Sequence, residues 1–173
     1  MQWYSKYTEE RRTEKVAFLG MMITLACLIS YVEACLPLTV GIPGIKLGLA
    51  NLVILFVLNS AGPRPALTVS FLRILVVTFL FGNLNMAIYS CAGAAASLAV
   101  MWFLKHFLQF SVLGISVAGG IMHNVGQLTA AALLLRNQGV FGYFPVLLAS
   151  GVATGLVVGL LEREIEKRLP QKF

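Results

Sequence analysis

PALTVSFLRILVVTFLF, Pro65 to Phe81, is an apolar run interrupted by a single charge, Arg73. Pro65 suits the first turn of a helix, where a residue without an N–H loses nothing. Arg73 lies eight residues further on, ~12 Å along that helix. An arginine that deep in a bilayer costs on the order of 2.5–3.5 kcal/mol, so it has to face the interior of a bundle. The run sits inside a longer stretch of the same character. From Glu33 to Glu162 there is no carboxylate, the whole chain has no aspartate, and the charges between are Lys46, Arg64, Arg73, Lys105 and Arg136.

Of the 173 residues, 58% are hydrophobic and 12% charged. Soluble domains carry about a quarter charged residues, which puts this chain among integral membrane proteins built as one helical bundle. The net charge of +6 is concentrated at the two ends. That placement fits contact with anionic lipid headgroups and not with nucleic acid, which asks for a basic face with stacking aromatics. Cys27, Cys35 and Cys91 are isolated, with no CxxC spacing, and read as small apolar residues. MQWYSKYTEERRTEK precedes the first apolar run, which lacks an A-x-A cleavage site, so this run is expected to stay as a transmembrane helix.

Breaks at Pro, Gly and charge clusters predict six helices: Val16–Leu36, Leu47–Leu58, Pro65–Phe81, Leu84–Leu104, Val112–Leu135 and Phe144–Leu161. The domain plan is a cytoplasmic segment 1–15, an all-α six-helix membrane bundle 16–161 and a charged cytoplasmic tail 162–173, EREIEKRLPQKF. The second helix is short, ~18 Å against a ~30 Å hydrocarbon core, so it has to extend, tilt or re-enter. With both termini inside, the inner face holds Lys6, Arg11, Arg12, Lys15, Arg64, Lys105, Arg163, Lys167, Arg168 and Lys172, and the outer face only Lys46 and Arg136. That asymmetry predicts the orientation and a plasma-membrane location, and favours an even number of crossings.

Candidate binding residues form three groups. Arg73 is either tethered to backbone carbonyls or Glu33, or placed to hold an anion. His123, Asn124 and Gln127 lie in GGIMHNVGQL, Gly119–Leu128. His123 and Gln127 share a helix face and Asn124 is turned ~100° away; they are either satisfied core polar groups or ligand contacts. Lys46, Asn51, Asn83 and Asn85, with Glu33 and Gln127, sit toward the outer ends and would ring an outward-facing cavity, although loop asparagines also serve as turns and caps. Small-residue pairs Gly20/Thr24, Ala26/Ser30 and Gly93/Ser97 permit close helix approach, within the bundle or toward a partner. No catalytic set, metal site or cofactor is expected. There is no GxxxxGK[ST] loop, and without aspartate the aspartate-rich Mg²⁺ motifs of polyprenyl diphosphate synthases cannot be built.

VGIPGIKLGLANLVILFVLNSAGPRPALTVSFLRILVV, Val40–Val77, together with GGIMHNVGQL, resembles the Gx transporter family, also labelled heptaprenyl diphosphate synthase component I. More distantly, the layout is similar to the S components of energy-coupling-factor (ECF) transporters. Gly20/Thr24, Ile45-Lys46-Leu47 and Gly62-Pro63 stand at the corresponding places, although Gly20/Thr24 departs from a clean AxxxA pair. The transporter resemblance implies a substrate-binding membrane component, with a transmembrane coupling subunit and an ATPase pair as partners. The synthase label implies a non-catalytic subunit beside a soluble prenyltransferase. The reading preferred here is the substrate-binding component of an ECF-type uptake transporter, with the synthase subunit as the alternative. Either would suit a small anionic substrate, isoprenoid diphosphates included, held by Lys46, Asn51, Arg73, Asn83, His123, Asn124 and Gln127.

Overall fold

The computed structural model describes residues 2–35 and 48–168, so Lys46 and the rest of the segment leading into the second helix lie outside the described residues. Six α-helices make up the described chain: α1 (Gln2–Cys35), α2 (Ala50–Ser60), α3 (Pro63–Phe81), α4 (Leu84–Phe107), α5 (Val112–Leu135) and α6 (Phe144–Arg168), with a short 3-10 stretch, Gln138–Tyr143, before α6. The all-α bundle expected from the sequence is the observed fold.

Several boundaries differ from expectation for local reasons. Helix α1 runs back to Gln2, because the Glu, Arg and Lys residues before Val16 are good helix formers and carry the helix beyond the apolar run. Helix α3 starts two residues early, since Pro63 and Pro65 both fall in a first turn whose N–H groups have no helical partner. Between α2 and α3 stands Gly62 at φ +93°, a backbone conformation that favours glycine. Its N–H donates to Val57 O at 3.1 Å, closing α2 as it opens α3. Asn83 caps α4 by accepting from Met86 N at 2.9 Å, and Ser111 caps α5 from Gly114 N at 3.3 Å. Helix α6 continues through Arg168, well past Leu161.

Four described segments are long and apolar enough to cross a membrane: Thr13–Glu33, Pro63–Phe81, Leu84–Phe107 and Gly139–Arg168. Helix α5 matches α4 at 24 residues and carries the polar group His123, Asn124 and Gln127. It is wedged between α4 and α6, its two most extensive neighbours. Helix α2, 11 residues, spans only ~16 Å. It is the apolar centre of the bundle. Val53, Ile54, Leu55, Val57 and Leu58 are all at most 3% exposed, covered by α1, α3 and α6. The outward faces of α1 and α3 show Met21, Leu25, Leu28, Phe71, Leu75 and Phe79, the surface that lipid tails require.

Candidate functional site

Polar side chains enter the bundle at separate stations, each set by helix packing. Between α4 and α5, Gln127 Nε2 and His123 Nε2 lie 3.0 Å apart, one turn from each other on the same face. Gly93 of α4 makes room for them: a Cβ there would stand 2.8 Å from Gln127 Cγ and from the His123 carbonyl. Gly126 and Ala92 close the same interface, with a Cβ on Gly126 falling 2.7 Å from Ala92 O. Asn124 points elsewhere. Its Nδ2 donates to Leu147 O of α6 at 2.8 Å, a crosslink between helices.

Arg73 occupies the α1–α3 interface. Nη1 donates to Ser30 Oγ at 3.3 Å, and that hydroxyl donates to Ala26 O at 2.8 Å. The buried Nε has no hydrogen-bond partner among the described residues. Glu33 acts on the guanidinium electrostatically and Cys27 and Cys91 lie near it, while Glu33 Oε1 accepts the Gly48 N–H. With Cys91 near Arg73 and Gly93 against the His123–Gln127 pair, the two polar groups approach α4 from different sides.

Asn51 lines a cavity together with Gly48, Leu55, Met101, Ser116, Gly119, Gly120, Thr154, Gly155 and Val158. The cavity measures about 10 Å³, room for about one water. Drug-sized ligands occupy ~300–1,000 Å³, so this conformation is closed to them. The hydroxyls of Ser116, in its wall, and of nearby Ser97 are buried without hydrogen-bond partners among the described residues. Asn83 stands apart as the exposed α4 cap. The structure thus joins His123 to Gln127, sets Arg73 across α4 from them, and leaves Asn51, Asn83 and Asn124 at three other places.

The small-residue pairs divide by direction. Ala26/Ser30 and Gly93/Ser97 are turned into the bundle, whereas Gly20 is exposed with open space where a Cβ would be, and Thr24 beside it donates to Gly20 O.

A fourth station was not anticipated. Lys105 Nζ, in the last turn of α4, donates to Leu58 O, Asn59 O and Asn59 Oδ1 at 3.1, 3.3 and 2.9 Å, neutralising the C-terminal end of α2. Asn59 Nδ2 in turn donates to Glu162 Oε1 at 3.2 Å and Glu166 Oε1 at 3.1 Å. Glu162, grouped by composition with the charged tail, is completely buried. Its helical register could have revealed it: Leu147, Gly151, Gly155, Val158, Gly159 and Glu162 form one stripe of buried positions on α6.

The model of the heptaprenyl diphosphate synthase component I family matches residues 22–165, from α1 to the last turns of α6. The chain belongs to that family. No curated relative and no solved structure gives a match. The matched span of this component I chain takes in every residue of the four polar stations except Glu166.

Proposed function

We propose that this component I chain is a non-catalytic membrane subunit that binds an anionic isoprenoid diphosphate and serves beside a soluble prenyltransferase. Arg73 carries the reading. A guanidinium inside an apolar bundle, hydrogen-bonded to a neutral serine and with Nε to spare, is suited to a diphosphate oxygen. The His123–Gln127 pair, on another side of α4, offers neutral hydrogen bonding, and the apolar helix faces suit a prenyl tail. Family membership supports the synthase partner. The absence of aspartate from the sequence argues that prenyl-transfer chemistry belongs to that partner. In this reading both termini face the cytoplasm at the plasma membrane, with the basic tails against anionic headgroups. The closed cavity has to widen, or the ligand enter along α4, for binding to occur.

The test is equilibrium binding of farnesyl diphosphate and of farnesol to the full chain in lipid nanodiscs. The diphosphate is expected to bind more tightly, and Arg73→Gln to weaken it at least about tenfold, as loss of a charged hydrogen bond implies. Equal affinity for diphosphate and alcohol, or an unchanged Arg73→Gln, defeats the reading.

One observation favours a second role, the substrate-binding component of an ECF-type uptake system: the outward-facing Gly20 and Thr24 of α1 could admit a coupling subunit. Co-purification separates the two. Retention of a soluble prenyltransferase supports the first, and retention of a coupling subunit with two ATPases supports the second.

A further inference from the structure

Glu162 is the most buried carboxylate described in the bundle, 0% exposed, and its Oε2 has no hydrogen-bond partner among the described residues. Its other oxygen shares one amide with Glu166. Both Asn59 Nδ2 hydrogens are thereby committed, one to each carboxylate. Among the described residues, the charges acting on Glu162 are Glu166, from its own helix, and Lys105, from α4. Helix α2 contributes only the neutral Asn59, and the first turn of α5 packed against this end of α6, Val112 to Ile115, has no ionisable side chain. Arg163 on α6 and Arg64 at the start of α3 are exposed.

The surroundings of Glu162 bear on its protonation state. Ionised, it would keep one buried oxygen without a donor among the described residues and share a single amide with a second carboxylate, Glu166; a proton on Glu162 relieves both. Carboxylates that share a site do not both remain ionised without cost.

The cluster is also placed against the cavity. Leu55 precedes Asn59, Met101 precedes Lys105 and Val158 precedes Glu162 by four residues each, one helical turn on the same face. All three preceding residues line the cavity. A single apolar layer, contributed by α2, α4 and α6, therefore separates the cavity from the charged cluster.

We propose that Glu162, together with Asn59, Glu166 and Lys105, forms a proton-binding site one helical turn beneath the cavity. The exchange is a plain protonation: a carboxylate oxygen of Glu162 takes a proton from water and gives it back, with no other bond made or broken. Lys105 and Asn59 position the carboxylates and hold the end of α2.

Infrared spectroscopy of the full chain in nanodiscs, from about pH 5 to about pH 9, reads the carbonyl band of a protonated carboxyl group directly. The wild type is expected to show such a band and to lose it as pH rises. Glu162→Gln should abolish it. Lys105→Met should keep it to pH higher by roughly one unit, because the cation that favours the ionised form is gone, and Glu166→Gln should shift it the opposite way. The wild-type titration and the two flanking variants remain decisive if Glu162→Gln does not fold. A wild type without a titrating carboxyl band overturns the proposal, as does a band that survives Glu162→Gln or disappears instead in Glu33→Gln.

Discussion

The α5–α6 seam and the outer face of α1 use the same residue type to opposite ends. Along α6, Gly151, Gly155 and Gly159 recur every four residues and lie directly on α5. A Cβ on Gly120 would come 2.5 Å from Gly151 O, and one on Gly155 would come 2.6 Å from Val117 Cα. Backbone meets backbone there, so no side-chain rotation can relieve an added methyl group. On α1, Gly20 has nothing within 4 Å of the same imagined atom. Small residues in a membrane helix therefore mark a close approach only where a neighbour is present. The seam spends its glycines on holding α5, with its polar group, in the middle of the bundle, and α1 leaves its own uncovered.

The sharpest way to break that contrast is Gly155→Val. Helices α5 and α6 would have to separate, and overpacking of this kind costs about 3 kcal/mol at the upper end of its usual range. Thermal unfolding in detergent, followed by retention of a monodisperse peak, should show a large loss of stability. Wild-type behaviour would mean that the seam is loose. Gly120→Val should repeat the effect from the other helix, since the obstructing atom is again main chain.

The seam also shows how far the sequence could be read. The apolar runs between Pro, Gly and charge breaks located all six helices, because lipid exposure imposes long uniform stretches that are visible locally. The polar group of α5 was visible for the same reason: His123, Asn124 and Gln127 interrupt an otherwise dry segment. Helical geometry set Asn124 apart from the other two, but only the packed structure names Leu147 O as its partner. The Gly151, Gly155, Gly159 spacing was present in the sequence, and extending its period past Leu161 would have marked Glu162 as buried. What no local pattern carries is the meeting of Asn59, Lys105 and Glu162, which belong to three helices far apart in the chain. Arg73 lies between these cases. Its turn toward a neighbouring helix followed from its place in an apolar run, whereas its contact with Ser30 depends on how α1 and α3 cross.

Asn124→Ala tests a smaller part of the seam. It removes the side-chain bond to Leu147 O and leaves the glycine contacts intact. Interhelical hydrogen bonds in membranes average ~0.6 kcal/mol and reach ~1.7, so a modest drop in stability within that range is expected. A loss as large as that of Gly155→Val would mean that the hydrogen bond, and not the glycine packing, positions α5.

The smallest effect belongs to Gly20→Val. With open space around the site, no contact among the described residues is disturbed, and valine is a slightly better helix former than glycine. Stability of the isolated protein should stay within ~0.5 kcal/mol of wild type, the usual range for surface changes. The informative measurement is made with partners present. If the open face of α1 is a docking surface, the variant folds normally but retains less of its co-purifying membrane subunit; if that face meets only lipid, recovery is unchanged. A destabilised Gly20→Val would erase the contrast altogether, because it would require a neighbour against α1 where the structure has none among its described residues.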